Sequence, residues 1–189
     1  MELTHQNKTF EKVIYSGKDI RNREFEKCTF QSCDFSESHF SSSRFSDCVF
    51  INCNLAMMKL TRCTIHNASF KDCKLIGVNF STCEDFLFSV RFENCVLDYA
   101  SFVQKKMPKT HFVNSSLKHV AFGNTDLHHA VFANTDLENA EFDKTNLKDA
   151  DLVTAYNYII DPERNVLKNA RISLYGAAGI LAKYGIKVE

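Results

Sequence analysis

A neutral chain of 189 residues, with 23 basic and 23 acidic side chains, argues against a nucleic-acid binder that works through a basic surface. Its 44 % hydrophobic content, with 17 Phe, no Trp and 2 Pro, fits one soluble domain. No apolar run approaches the roughly 20 residues of a membrane span, and MELTHQNKTF at the N-terminus lacks the apolar core of a signal peptide. A cytoplasmic protein without membrane attachment is therefore expected.

From Phe10 onward a large residue returns at every fifth position: Phe10, Tyr15, Ile20, Phe25, Phe30, Phe35, Phe40, Phe45, Phe50, Leu55, Leu60, Ile65, Phe70, Leu75, Phe80. A period of five is neither the 3.6 of a helix nor the 2 of a strand, so the chain must turn once per repeat. Four turns close a square coil of 20 residues. Writing i for the large residue, i and the small residue at i−2 point inward, while i−1, i+1 and i+2 point outward. In the first coil the i−2 residues are Lys8, Val13, Lys18 and Arg23, too long and too charged for a closed interior. Residues 1–24 therefore read as an N-terminal cap open to water on one side.

The cysteines follow the same rule. Cys28, Cys33, Cys48, Cys53, Cys63, Cys73, Cys83 and Cys95 all stand at i−2 and read as small core residues. The column Cys33, Cys53, Cys73, Cys95 has the one-rung spacing, roughly 4.8 Å, that a disulfide can bridge, but parallel side-chain vectors and a reducing compartment favour free thiols. C-x-x-C spacing is absent, so a zinc site has no support.

The phase breaks at Asp85 and resumes with Leu87, Phe92, Leu97, Phe102, Met107, Phe112, Leu117 and Phe122. A two-residue insertion near 83–88 accounts for the shift and predicts a small bulge presenting Glu84, Asp85 and Phe86. Allowing for it, Phe10, Phe30, Phe50, Phe70, Phe92, Phe112 and Phe132 form one column whose rings should stack.

Between Val120 and Leu152 lie seven acids (Asp126, Asp136, Glu138, Glu141, Asp143, Asp149, Asp151) and two bases (Lys144, Lys148), a net of 2 − 7 = −5. All seven are outward by register and form a candidate acidic partner-binding patch. The bland reading is that Asp at i−1 belongs to the repeat itself, which covers Asp126, Asp136 and Asp151. Val113, Val131, Ala133 and Val153 form an outward apolar strip that another element should cover, and the C-terminal segment is the obvious candidate.

After Leu152 the period dissolves, and residues 156–189 read as a separate tail following a repeat region over 1–155. Asp161-Pro162 marks a turn. A short helix should follow, with Ser173 as N-cap, Leu174, Ala177, Ala178, Leu181 and Tyr184 on one face, and a stop at Gly185. Gly176 and Gly179 make this helix poor on its own, so packing must hold it. Its apolar face, together with Ile186 and the following end to Val188, is expected to make a homodimer contact.

Constellations for chemistry are lacking. The histidines His39, His111, His119, His128 and His129 all map outward, and the Ser41 to Ser43 run has no nucleophile elbow. Only 6 Gly leave no phosphate-cradling loop. A protein with no catalytic, metal or cofactor site is expected.

The repeat, a small residue, then Asp, Asn or another polar residue, then Leu or Phe, then two polar residues, resembles the pentapeptide-repeat family over roughly Phe10 to Leu152. That resemblance implies an all-β solenoid, a right-handed quadrilateral β-helix, here with a short C-terminal α-helix. FEKCTFQSCDF at 25–35, CKLIGVNF at 73–80, FENCVLDYASF at 92–102 and NYIIDPERNVLKNARIS at 157–173 are similar to one branch, the proteins that protect bacterial DNA gyrase from quinolones, albicidin or microcin. The branch resemblance implies a non-enzymatic homodimer that acts on gyrase or topoisomerase IV as a DNA mimic, without itself binding nucleic acid. The alternative is an interaction scaffold whose partner is unrelated to topoisomerases.

Overall fold

The computed structural model describes residues 3–186. It is the expected all-β solenoid. Strands Thr9–Glu11, Thr29–Gln31, Val49–Ile51, Ala68–Lys71, Val90–Glu93, His111–Val113, Val131–Ala133, Asp151–Leu152 and Arg171–Ile172 stack in parallel as a nine-stranded sheet. A second wall is the four-stranded sheet Thr4–Gln6, Glu24–Glu26, Arg44–Ser46 and Thr64–His66. The remaining walls are single parallel bridges such as Ile14 to Asp34 and Asp19 to His39, because the two residues left between corners are too few for a longer ladder.

Register follows the 20-residue column: Phe10 pairs with Phe30, and Phe30 with Phe50. Across the insertion the offset becomes 22, with Phe70 opposite Phe92. The Phe ladder is continuous through it, with stacked ring centroids 4.7 Å apart for Phe30 and Phe50, 5.2 Å for Phe70 and Phe92, and 5.1 Å for Phe112 and Phe132. All eight cysteines are buried free thiols. Burial pushes Cys48 and Cys63 up to about 12, which suits small core residues.

Most corners are turned at i+2 by a residue with positive φ, among them Asn52, Asn67, Asn94, Asn114 and Asn134 at 49° to 53°. Asn tolerates this left-handed conformation better than other side-chain-bearing residues, and its amide is then free to bond along the column. Asn134 donates to Asn114 Oδ1 at 3.0 Å, Asn114 to Asn94 at 3.2 Å, and Asn94 to Asp72 at 2.9 Å.

Three expectations are corrected. Leu87 does not fill the core. It turns a corner at φ 57° and is exposed, while Phe88 is buried against Phe80 at 6.2 Å, because the bulge consumes one residue more than the pattern suggests. The coil also begins before Phe10: the His5 ring stacks on Phe25 at 5.1 Å and pairs with it in register. Finally, the ladder does not stop at Leu152. Tyr158 and Ile160 enter the core, Asn165 fills an i−2 slot with its Nδ2 donating to Phe142 O at 3.1 Å, and Leu152 pairs with Ile172. The five-residue spelling fades there because Tyr158 and Ile160 replace one regular i residue, yet the backbone completes another turn.

Candidate interaction surfaces

The seven acids lie on the walls where the register puts them, but most carry partners from one coil away. Lys118 Nζ reaches Glu138 at 2.8 Å and Asp136 at 3.2 Å, and these carboxylates hold its ammonium above its ordinary range. Arg164 pairs with Asp143 at 2.6 Å and Arg171 with Asp151 at 2.9 Å. Asp149 accepts from Asn169 at 3.0 Å and lies 3.7 Å from His129 Nε2. Asp126 accepts from His128 Nδ1 at 3.0 Å and Asn146 at 2.8 Å. Burial alone would raise the Asp126 carboxyl, but the His128 and Asn146 hydrogen bonds outweigh it and hold it below its usual value.

Asp136 is a correction to the outward reading, being only 8 % exposed under Asn157, whose Nδ2 donates to it at 2.9 Å. Glu141 is exposed and alone of the seven has no side-chain partner among the described residues. The excess of −5 counted over 120–152 thus omits Lys118, Arg164 and Arg171, which lie outside that window in sequence but one rung from their acids in space. Reading the sequence in columns of 20 would have found them.

The bulge stands where expected, with Glu84, Asp85 and Phe86 all exposed. Its anchor escaped the sequence reading. Lys105 occupies an i−2 slot, where a small residue belongs, and is 2 % exposed. On this wall the ladder runs Glu24 N to Leu3 O, Arg44 N to Arg23 O, Thr64 N to Ser43 O and Glu84 N to Cys63 O, and resumes with Asp126 N to Lys105 O. The next carbonyl in that series, Cys83 O, accepts from Lys105 Nζ instead. The same ammonium bonds Asp85 Oδ1 at 2.6 Å and lies 5.4 Å from the centre of the Phe88 ring. A lysine in a column of Ser43, Cys63, Thr125 and Thr145 was the available signal.

The C-terminal element corrects the expected cap: Ser173 Oγ accepts from Gly176 N at 3.0 Å and closes the preceding turn, Gly176 is the N-cap, the helix proper spans Ala177–Leu181, a 3-10 turn follows over Ala182–Tyr184, and Gly185 ends it at φ 66°. Its glycines make close packing possible: a Cβ on Gly176 would sit 1.8 Å from Tyr158 Oη, and one on Gly179 would sit 2.0 Å from Tyr158 O. Lys183 bonds Asp161 at 2.9 Å and also Glu163, and Tyr184 Oη donates to Glu163 at 3.1 Å. The helix therefore lies over Tyr158 and the 161–163 turn rather than over the Val113, Val131, Ala133 and Val153 strip, because only its glycine face can approach backbone so closely. Of the expected dimer residues, Leu174, Tyr184, Ala178 and Ile186 are exposed and Ala177 and Leu181 half-buried, beside exposed Tyr175. Val188 lies outside the described residues.

Among the described residues no cluster of three or more metal-ligating side chains occurs, and no helix is long and apolar enough to cross a membrane. A family model described as a pentapeptide repeat region matches residues 23–86 and 85–154. No curated protein sequence matches. Two solved structures of trypsin-treated QnrB1, described as a plasmid-mediated fluoroquinolone resistance protein, are similar over almost the whole length. One is 21 % identical, with 99 % of this chain and 98 % of that chain covered and a TM-score of 0.57. The other is 20 % identical, with 98 % and 99 % covered and a TM-score of 0.55.

Proposed function

The chain belongs to the pentapeptide-repeat family, and from that premise we propose that it is a non-enzymatic partner of DNA gyrase or topoisomerase IV that protects the enzyme from a quinolone or a peptide toxin. The observation that carries this reading is the end-to-end likeness to QnrB1, which includes the C-terminal element as well as the repeats. The exposed Leu174, Tyr175, Tyr184 and Ile186 support a homodimer through that element.

The pairing of six of the seven acids weighs against mimicry of DNA by a continuous line of charge, since duplex DNA carries one negative charge per roughly 1.7 Å. In this proposal the contact runs through the Lys105-anchored bulge at Glu84, Asp85 and Phe86 and through the free Glu141. The same mottled electrostatics favour a second reading, an interaction scaffold with a partner unrelated to topoisomerases. A gyrase supercoiling assay with and without ciprofloxacin separates the two. The first reading expects the protein to restore supercoiling in the presence of drug, and Phe86→Ser with Glu141→Lys to abolish the rescue in a folded protein. Supercoiling indifferent to the wild-type protein at every concentration, with drug and without, leaves the scaffold reading.

A further inference from the structure

The corners of the coil are not equivalent. Three of the four rows of i+2 residues are polar outside the bulge, as in Lys12, Ser32, Asn52, Asp72, Asn94, Asn114 and Asn134. The fourth reads Gly17, Glu37, Met57, Gly77, Tyr99, His119 and Asn139, all at positive φ. Met57 and Tyr99 are 55 % and 63 % exposed, and Ile76, beside Gly77, is exposed as well. Bulky side chains are disfavoured in this backbone conformation, where Asn serves better, and large apolar groups on a solvated edge gain nothing from folding. Two local rules are therefore broken at the same place.

The side chains also connect. A Cβ on Gly77 would lie 2.4 Å from Met57 Sδ, so Met57 lies across the next rung in space that only glycine leaves open. Tyr99 and His119 stack with centroids 4.7 Å apart and planes 3° from parallel. His119 then lines a groove of about 1190 Å³ beneath the C-terminal helix, whose walls include Tyr156 and Ile159. The result is a row of apolar and aromatic side chains, Met57, Ile76, Tyr99, His119 and Ile159, broken at Asn139 and spread over about five rung spacings, roughly 24 Å, along one edge of the rod.

We infer that this stripe is a docking surface for an amphipathic α-helix of a partner protein, lying parallel to the rod axis. The rungs that carry it repeat at roughly 4.8 Å, close to the 5.4 Å pitch of an α-helix, so about four turns stay in register within side-chain reach. A strand laid along the same axis presents same-face side chains about 6.8 Å apart and loses register within two or three rungs. Strand addition is further excluded at the corner itself, where Met57 N bonds Ile76 O, Gly77 N bonds Asp98 O, Tyr99 N bonds Lys118 O and His119 N bonds Glu138 O. Glu37 at one end and Glu141 at the other are exposed acids, which matches basic residues on the flanks of the docked helix. The inference does not depend on the topoisomerase reading.

The test uses the full chain and a fluorescein-labelled synthetic peptide of 18 residues, Leu at helical spacing with Lys on the flanks, against a control of equal composition with Leu at alternate positions. The helical-period peptide should bind and gain helicity by circular dichroism. Met57→Ser with Tyr99→Asn should weaken it by about tenfold or more, as loss of central aromatic contacts does. The thermal midpoint should not fall, since Asn suits the corner, which separates lost binding from lost folding. Equal binding of the alternating peptide, undiminished binding by the double variant, or no binding up to about 1 mM would overturn the inference. So would a double variant that changes the self-association of the chain and leaves peptide affinity intact.

Discussion

Lys105 offers the sharpest test of how the insertion is accommodated. Changing Lys105 to Met keeps the apolar stem in its slot but removes the donor that satisfies Cys83 O, in a position 2 % exposed. A buried carbonyl left without a partner costs about 1–3 kcal/mol, and that is the expected loss of folding stability. Lys105→Ala adds an unfilled space and should reach about 3–5 kcal/mol. Asp85 is 71 % exposed on its side chain, so water can replace the ammonium there, and Asp85→Asn should cost no more than about 1 kcal/mol. Urea denaturation gives the three values, and hydrogen exchange of the 84–89 amides shows whether the bulge loosens. If Asp85→Asn costs as much as Lys105→Met, the ion pair and not the carbonyl is what matters, and the reasoning fails.

Further outcomes are expected elsewhere. Phe70→Ala, in mid-stack between Phe50 at 4.8 Å and Phe92 at 5.2 Å, should lose about 3–5 kcal/mol in the same denaturation series, whereas Lys71→Ala on the outer face should not shift the midpoint measurably. Gly179→Ala would gain helix propensity in an isolated peptide but must push against Tyr158 O, so limited trypsinolysis should cut faster at Lys183; slower cutting would contradict the close packing. Lys183 and the Tyr184 hydroxyl hold the Glu163 carboxyl below its ordinary value, so its contribution is complete above the unfolded pKa of about 4.3 and lost as pH falls through the lower folded value. Protection of the Ala177–Leu181 amides, taken relative to intrinsic exchange at each pH, should accordingly fall below about pH 4 and stay constant at neutral pH. Ellman's reagent at pH 8 should find the native thiols unreactive and all eight in denaturant, whereas a lower denatured count would reveal disulfides.

The sequence by itself determined the coil, its column register and the inward cysteines, because a strict period repeated over many rungs leaves one way to bury every Phe and Leu at once. It also located the bulge and the Gly185 stop, since a broken phase and a left-handed glycine are local signals, whereas the helix starts at Ala177 and not after Ser173. Only the tertiary structure decided what lies next to what one rung away. Lys118, Arg164 and Arg171 neutralise acids from which the chain separates them by 18 to 21 residues. Lys105 completes a ladder broken 22 residues earlier. The glycine face of the C-terminal helix, weak by propensity, proved to be its packing face because Tyr158 sits beneath it, and Met57, Tyr99 and His119 became a surface only when the corners lined up. These are relations between rungs, which depend on the stacking offset and on the residues the insertion consumes, and a linear reading carries neither.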